Sequence, residues 1–185
     1  MVFDLELRDK LSEFDTDEFE GQVFRAGSEN LDPTAPSMSG GRWAPISDER
    51  AQVSVLYTSI ERDGALAEIA YHWGQFFPLP TNSIIVHRLQ VRLRRVLRII
   101  GARLGQLGLK IAALEENLER TQQIGAICEF LDHDGLIVPS LRWPCENLVI
   151  FTNNRNILDP LEVTRSEEIP DWQSWSRKSG VIEPD

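Results

Sequence analysis

With 185 residues, 42% of them hydrophobic and 26% charged, the chain has the size and composition of a single water-soluble domain burying roughly 70% of its unfolded surface. No apolar run approaches the roughly 20 residues that span a bilayer, which argues against a membrane protein. The formal net charge of −10 excludes a general nucleic-acid binder, because holding a phosphate backbone takes a basic surface.

The chain opens on "MVFDLELRDK", which is acidic and lacks a signal-peptide pattern. Cys128 and Cys145 are too few for a secreted disulfide framework, so a reduced, cytoplasmic protein with two incidental thiols is expected. Residues 1–20 hold eight carboxylates against Arg8 and Lys10, a local charge of −6. That segment reads as a solvated helix or arm, with a surface for a basic partner as the other option.

"QVFRA" (22–26) predicts a first short strand, and "GSENLDPTAPSMSGG" (27–41) an irregular, cleft-forming loop. "VSVLYTS" (53–59) reads as a strand and "GALAEIAYHW" (64–73) as a helix. In that helix Leu66, Ile69, Ala70 and Trp73 mark one buried stripe, and Glu68 falls opposite it, where periodicity alone makes it a solvated residue. "SIIVHRLQVRL" (83–93) is a long strand candidate that "RVLRII" (95–100) either continues or follows. Its alternation sets the five arginines of residues 87–98 on a solvated face or edge, a structural reading preferred over a polyanion stripe. Residues 114–133 form the longest helical candidate, with Gly135 as its stop, followed by the buried strands "LIV" (136–138) and "LVIF" (148–151). Trp172 and Trp175 mark a docked C-terminal segment.

Strands and helices interleave here without a regular β-α-β alternation, so a mixed α/β or α+β fold is expected. "GARLGQLG" (101–108) has the wrong glycine spacing for a dinucleotide or phosphate loop and reads as a turn-rich connection. Ser140 lies in no nucleophile elbow, Cys145 has no identifiable base, and His72, His87 and His133 form no metal pattern with the cysteines. Periodicity leaves Arg25, Arg42, Tyr57, Glu68 and Ser140 without a clear task. Each has a structural reading: Arg25 paired with a nearby acid, Arg42 over Trp43, Tyr57 in the core, Ser140 bonding its own turn.

Taken in order, "FRAG", "GGRW", "VLYTS" followed by "AE", "GLIVPS" and "ENLVIF" resemble the RES-domain family from about Val23 to Phe151. Members of that family are toxins of toxin–antitoxin pairs that consume NAD or transfer ADP-ribose from it. The resemblance implies an α+β single domain similar to the ADP-ribosyltransferase fold, with split, twisted β-sheets and flanking helices. Residues 21–166 would be the catalytic domain, between the acidic segment 1–20 and a docked segment 167–185. It also implies a site in which Glu68, Arg25 and Tyr57 are catalytic and Arg25, Arg42, Tyr57 and Ser140 bind NAD, with no metal.

The chemistry suits those residue types. Breaking the bond between nicotinamide and ribose leaves a sugar with oxocarbenium character, which a fixed carboxylate such as Glu68 stabilises. The rigid donor fork of Arg25 or Arg42 matches phosphate oxygens, Tyr57 can stack on nicotinamide or ribose, and Ser140 can bond a ribose or phosphate oxygen. NAD glycohydrolysis is the first expectation and ADP-ribosylation of a protein the second; a non-catalytic nucleotide-binding or partner-binding module is the alternative from another class. The resemblance further implies an Xre-type antitoxin as partner, which would carry any DNA contact.

Overall fold

The computed structural model describes residues 4–37, 39–47, 50–51 and 53–183. Its strands are β1 (Thr16–Gly27), β2 (Ile46–Ser47), β3 (Arg50–Ala51), β4 (Val55–Ser59), β5 (Ile84–Arg98), β6 (Gly135–Pro139), β7 (Glu146–Phe151) and β8 (Leu161–Ile169). Its helices are α1 (Leu5–Ser12), α2 (Arg62–Trp73), α3 (Ala102–Gln106), α4 (Leu118–Phe130) and α5 (Trp172–Lys178).

From Asp4 on, the acidic start is folded chain. Asp4 caps α1 by accepting the Leu7 N–H at 3.1 Å, and its second oxygen takes Arg120 of α4 at 2.9 Å. Those two bonds hold the Asp4 carboxyl below its usual pKa. Leu7 and Leu11, four residues apart on one helix face, are fully buried. The first strand is longer than "QVFRA", because the acidic residues before it pair with the arginine-rich end of β5: Glu20 lies opposite Arg92 and Asp17 opposite Val96. Arg92 approaches Glu18 at 3.8 Å and Glu20 at 3.7 Å. Further along β5, Arg88 covers the Phe24 ring, Arg94 pairs with Asp159 and Arg98 with Glu146. The acidic start and the basic strand therefore answer each other within one chain, although exposed pairs of this kind add little stability individually.

Pairing of β1 with both β4 and β5 closes a circuit of five strands, β1-β4-β7-β6-β5, to which β8 is added along β5. Among the described residues only β5 and β6 run parallel. Val23, Leu56, Leu89, Ile137 and Leu148, one from each strand of the circuit, share a buried cluster. Alternate residues such as Val55, Leu136, Val149 and Phe151 point the other way and pack with α1 and α4, as the two-residue period of a strand requires. A third cluster joins α2 to the start of β5 and to α5, where Trp172 is 1% exposed and meets Trp73 edge-on at 5.5 Å. No alternation marks β8 in the sequence, since its inner residues are exposed on both faces.

The long helix is shorter than the 114–133 pattern predicts. A single 3-10 turn at Ile111–Ala113 precedes it, and it ends at Phe130 with Asp132 in the left-handed region at φ 58°. Gly135 instead opens β6, where an added Cβ would stand 2.9 Å from Leu93 Cδ1. Among the described residues no helix is long and apolar enough to cross a membrane.

His133 lies between α4 and β6, 3% exposed, and neither ring nitrogen has a partner among the described residues. Burial, reinforced by the Arg95 guanidinium and opposed by Asp134 and Asp132, pushes its pKa down to about 4. The unfolded chain, with an ordinary histidine pKa near 6.5, binds more protons than the folded one between those values, so stability falls as pH drops through this window. Chemical denaturation from pH 7 to 4 should show this slope, and His133→Phe should flatten it.

Candidate functional site

A cavity of about 690 Å³ opens where α2, the loop ahead of β4, the start of α4 and the turn after β6 converge. Its floor is the outward face of β4 and β7: Tyr57 stands opposite Val149 and Ser59 opposite Asn147. Tyr57, Ser59, Asn147 and Val149 line the cavity while their neighbours Leu56 and Leu148 enter the strand circuit.

Glu68 leaves α2 on the side away from Leu66 and Ala70, as periodicity places it, but that side is the cavity wall. Its Oε1 accepts the Ser140 hydroxyl at 2.8 Å and the Asn147 amide at 2.9 Å. Both bonds fall on one oxygen, so among the described residues Oε2 remains available as an acceptor. The single proton of Ser140 is spent on Glu68, and its oxygen also accepts the Arg142 N–H at 3.2 Å. Asn147 stands in "ENLVIF", where a polar side chain heading an apolar run was the available signal for it. Its Oδ1 is buried without a partner among the described residues.

Tyr57 is half-buried beside the core, and its hydroxyl accepts the Trp43 N–H at 3.1 Å. Burial pushes its pKa up to about 12, so it keeps a proton to donate. That bond also fixes the "GGRW" turn. Gly40 has φ 65°, and a Cβ on Gly41 would stand 2.6 Å from the Tyr57 hydroxyl, so only glycine lets the turn lie so close. Gln122 of α4 donates to the Gly41 carbonyl at 3.0 Å.

Arg25 and Arg42 both border the cavity. The Arg25 Nη1 donates to the carbonyls of Ala35 and, at 3.2 Å, Pro33, gathering the loop after β1; burial lowers its pKa. Arg42 Nη1 donates to the Leu114 carbonyl. The cavity thus brings Arg25, Arg42, Tyr57 and Glu68 to one space, with Ser140 directly behind Glu68. It also holds Arg142, His72 and Asn147, which periodicity did not single out. Cys145 is bonded to the Ser59 hydroxyl at 3.3 Å, and burial pushes its thiol up, away from the thiolate a nucleophile needs. No cluster of three or more His, Cys, Asp or Glu side chains suited to a metal ion occurs among the described residues.

A family model described as RES domain matches residues 22–172. No curated protein matches the chain. Among solved structures, it is similar to a chain of the M. tuberculosis MbcT-MbcA toxin-antitoxin complex, with a TM-score of 0.78 and 17% identity over 94% of this chain and 98% of that one. At that identity the likeness speaks for the fold.

Proposed function

The chain belongs to the RES domain family, and on that premise we propose that it consumes NAD by cleaving the bond between nicotinamide and ribose. One observation carries the reading: a carboxylate, Glu68, is fixed by Ser140 and Asn147 in the wall of a cavity that also holds Tyr57 and two arginines. The cavity volume, about 690 Å³, falls in the range of small-molecule sites.

In this reading Oε2 of Glu68 faces the ribose attached to nicotinamide. As the C–N bond breaks, its electron pair returns to the pyridinium ring, which leaves neutral. Positive charge then grows on the sugar, and the fixed carboxylate stabilises it. Attack by water gives ADP-ribose and releases one proton. The Tyr57 hydroxyl, held by the Trp43 N–H, offers its proton to a ribose oxygen, while the Ser140 hydroxyl acts through Glu68 by holding it. Arg25 and Arg42 supply the positive charge that an acidic protein needs to bring in a diphosphate.

Arg42→Lys and Arg25→Lys keep the charge but lose the planar fork. Each should raise the apparent NAD requirement about tenfold with little change in the thermal midpoint. If steady-state kinetics show both variants matching the parent, neither arginine holds the diphosphate. The reading as a whole is tested by incubating the purified protein with NAD and following nicotinamide and ADP-ribose, with and without candidate acceptor proteins. Nicotinamide with equimolar free ADP-ribose supports hydrolysis; nicotinamide with ADP-ribose on an added protein supports transfer; no nicotinamide in either condition overturns both. The fold shared with a chain of a toxin–antitoxin complex supports a further part of the reading, that a cognate antitoxin neutralises this chain.

A further inference from the structure

Arg142 lies in the turn after β6, and its side chain is 18% exposed at the border of the cavity. Its guanidinium carbon sits 3.3 Å from the centroid of the Tyr71 ring, on α2 one turn beyond Glu68, so the ring packs against the guanidinium. The Arg142 backbone N–H donates to the Ser140 hydroxyl oxygen at 3.2 Å, and that hydroxyl holds Glu68, so the residue belongs to the wall next to the carboxylate. The charge is answered by Glu115, whose Oε1 accepts from Arg142 Nη2. The residue before it, Leu114, gives its carbonyl to Arg42. Two neighbouring residues between the 3-10 turn and α4 therefore occupy a guanidinium on each of two cavity walls.

We infer that Arg142 is a third guanidinium for the diphosphate of the substrate, and that the Glu115 carboxylate occupies the place on it that the diphosphate takes. The inference rests on the NAD reading above. Leu114 is fully buried, which anchors the backbone of this segment, whereas the Glu115 side chain is 50% exposed. Arg142 can thus be released by rotating one side chain into water, with the backbone in place. An exposed ion pair is weak, and a diphosphate brings more charge and an oxygen array that matches the fork, so it displaces the carboxylate. The diphosphate is joined to the nicotinamide ribose, so when that ribose lies against Glu68 the phosphates fall within the arginine-bearing walls. Glu115 then sets affinity: it keeps the site closed to weaker anions and lowers the affinity for every diphosphate ligand by the strength of the pair it forms.

The test is calorimetric titration of the parent, Glu115→Gln, Arg142→Gln and Arg142→Lys with ADP-ribose, inorganic diphosphate and nicotinamide riboside, which carries no phosphate. Thermal midpoints of all four proteins serve as the folding control. Glu115→Gln should tighten ADP-ribose and inorganic diphosphate by about threefold to tenfold. Arg142→Gln should weaken both roughly tenfold or more, with Arg142→Lys in between. Nicotinamide riboside should bind all four alike. Unchanged or weaker ADP-ribose binding by Glu115→Gln, or an equal loss of nicotinamide riboside in the Arg142 variants, overturns the inference. If the parent cleaves NAD while the variants bind like it, this inference alone fails; if the parent binds neither NAD nor ADP-ribose, the NAD reading fails with it.

Discussion

Glu68→Gln should slow nicotinamide release from NAD by a hundredfold or more while the protein stays folded and still binds NAD. The substitution keeps the shape of the side chain, and its amide oxygen can still accept from Ser140 and Asn147 as Oε1 does. What it removes is the negative charge beside the ribose. Deleting one preorganised partner of a charge that develops in the transition state typically costs about 2.7 to 4 kcal/mol of barrier, which sets the expected loss. A residue on a solvated helix face would behave otherwise, shifting stability by less than about 0.5 kcal/mol and turnover not at all. Measuring the thermal midpoint, NAD affinity and nicotinamide release on one preparation separates the two: unchanged turnover in a folded variant removes Glu68 from the chemistry.

Gly125→Ala should be the most damaging single methyl group in the molecule. Gly125 is buried in α4, and an added Cβ would stand 1.8 Å from the Trp43 carbonyl oxygen and 2.6 Å from its carbon, both backbone atoms with no rotamer to escape through. Either α4 or the "GGRW" turn has to move. Overpacking of this kind costs about 1 to 3 kcal/mol, and contact with backbone rather than side chain puts the expected loss at about 3 kcal/mol. Because that turn carries Arg42 and is bonded to Tyr57, NAD turnover should fall together with the denaturation midpoint. Normal stability and turnover in this variant would mean that α4 and the turn are not packed as described.

The strands and helices that border the cavity were legible because their patterns are set by burial on one face. "VLYTS", "GALAEIAYHW" and "LVIF" each correspond to an observed element. A mixed α/β or α+β class followed from their irregular order, and it matches the observed six-stranded sheet and small β2-β3 pair with flanking helices. The first strand was cut short because acidic residues 16–20 look like solvated chain until the arginines of β5 are laid beside them. β8 was missed because a strand exposed on both faces has no hydrophobic period. Gly135 was misread as a helix stop because the glycine signal does not distinguish a left-handed turn from a close approach; Asp132 takes the turn.

The cavity was less legible than the fold. Helical periodicity turned Glu68 away from the buried stripe but could not distinguish a cavity from solvent, since both lie opposite the core. Family motifs brought forward Arg25, Arg42, Tyr57, Glu68 and Ser140, and the first four of these border the cavity while the fifth, Ser140, holds Glu68. Arg142 and Glu115 carried no signal, because their pairing joins residues 27 positions apart through tertiary structure alone.

The most direct test of the account is a crystal structure of Glu68→Gln with intact NAD bound. The account predicts the nicotinamide ribose within hydrogen-bond reach of the side chain at position 68 and the diphosphate among Arg25, Arg42 and Arg142. NAD bound outside this cavity, or inside it with the diphosphate toward position 68 and the nicotinamide ribose remote from it, would contradict the account.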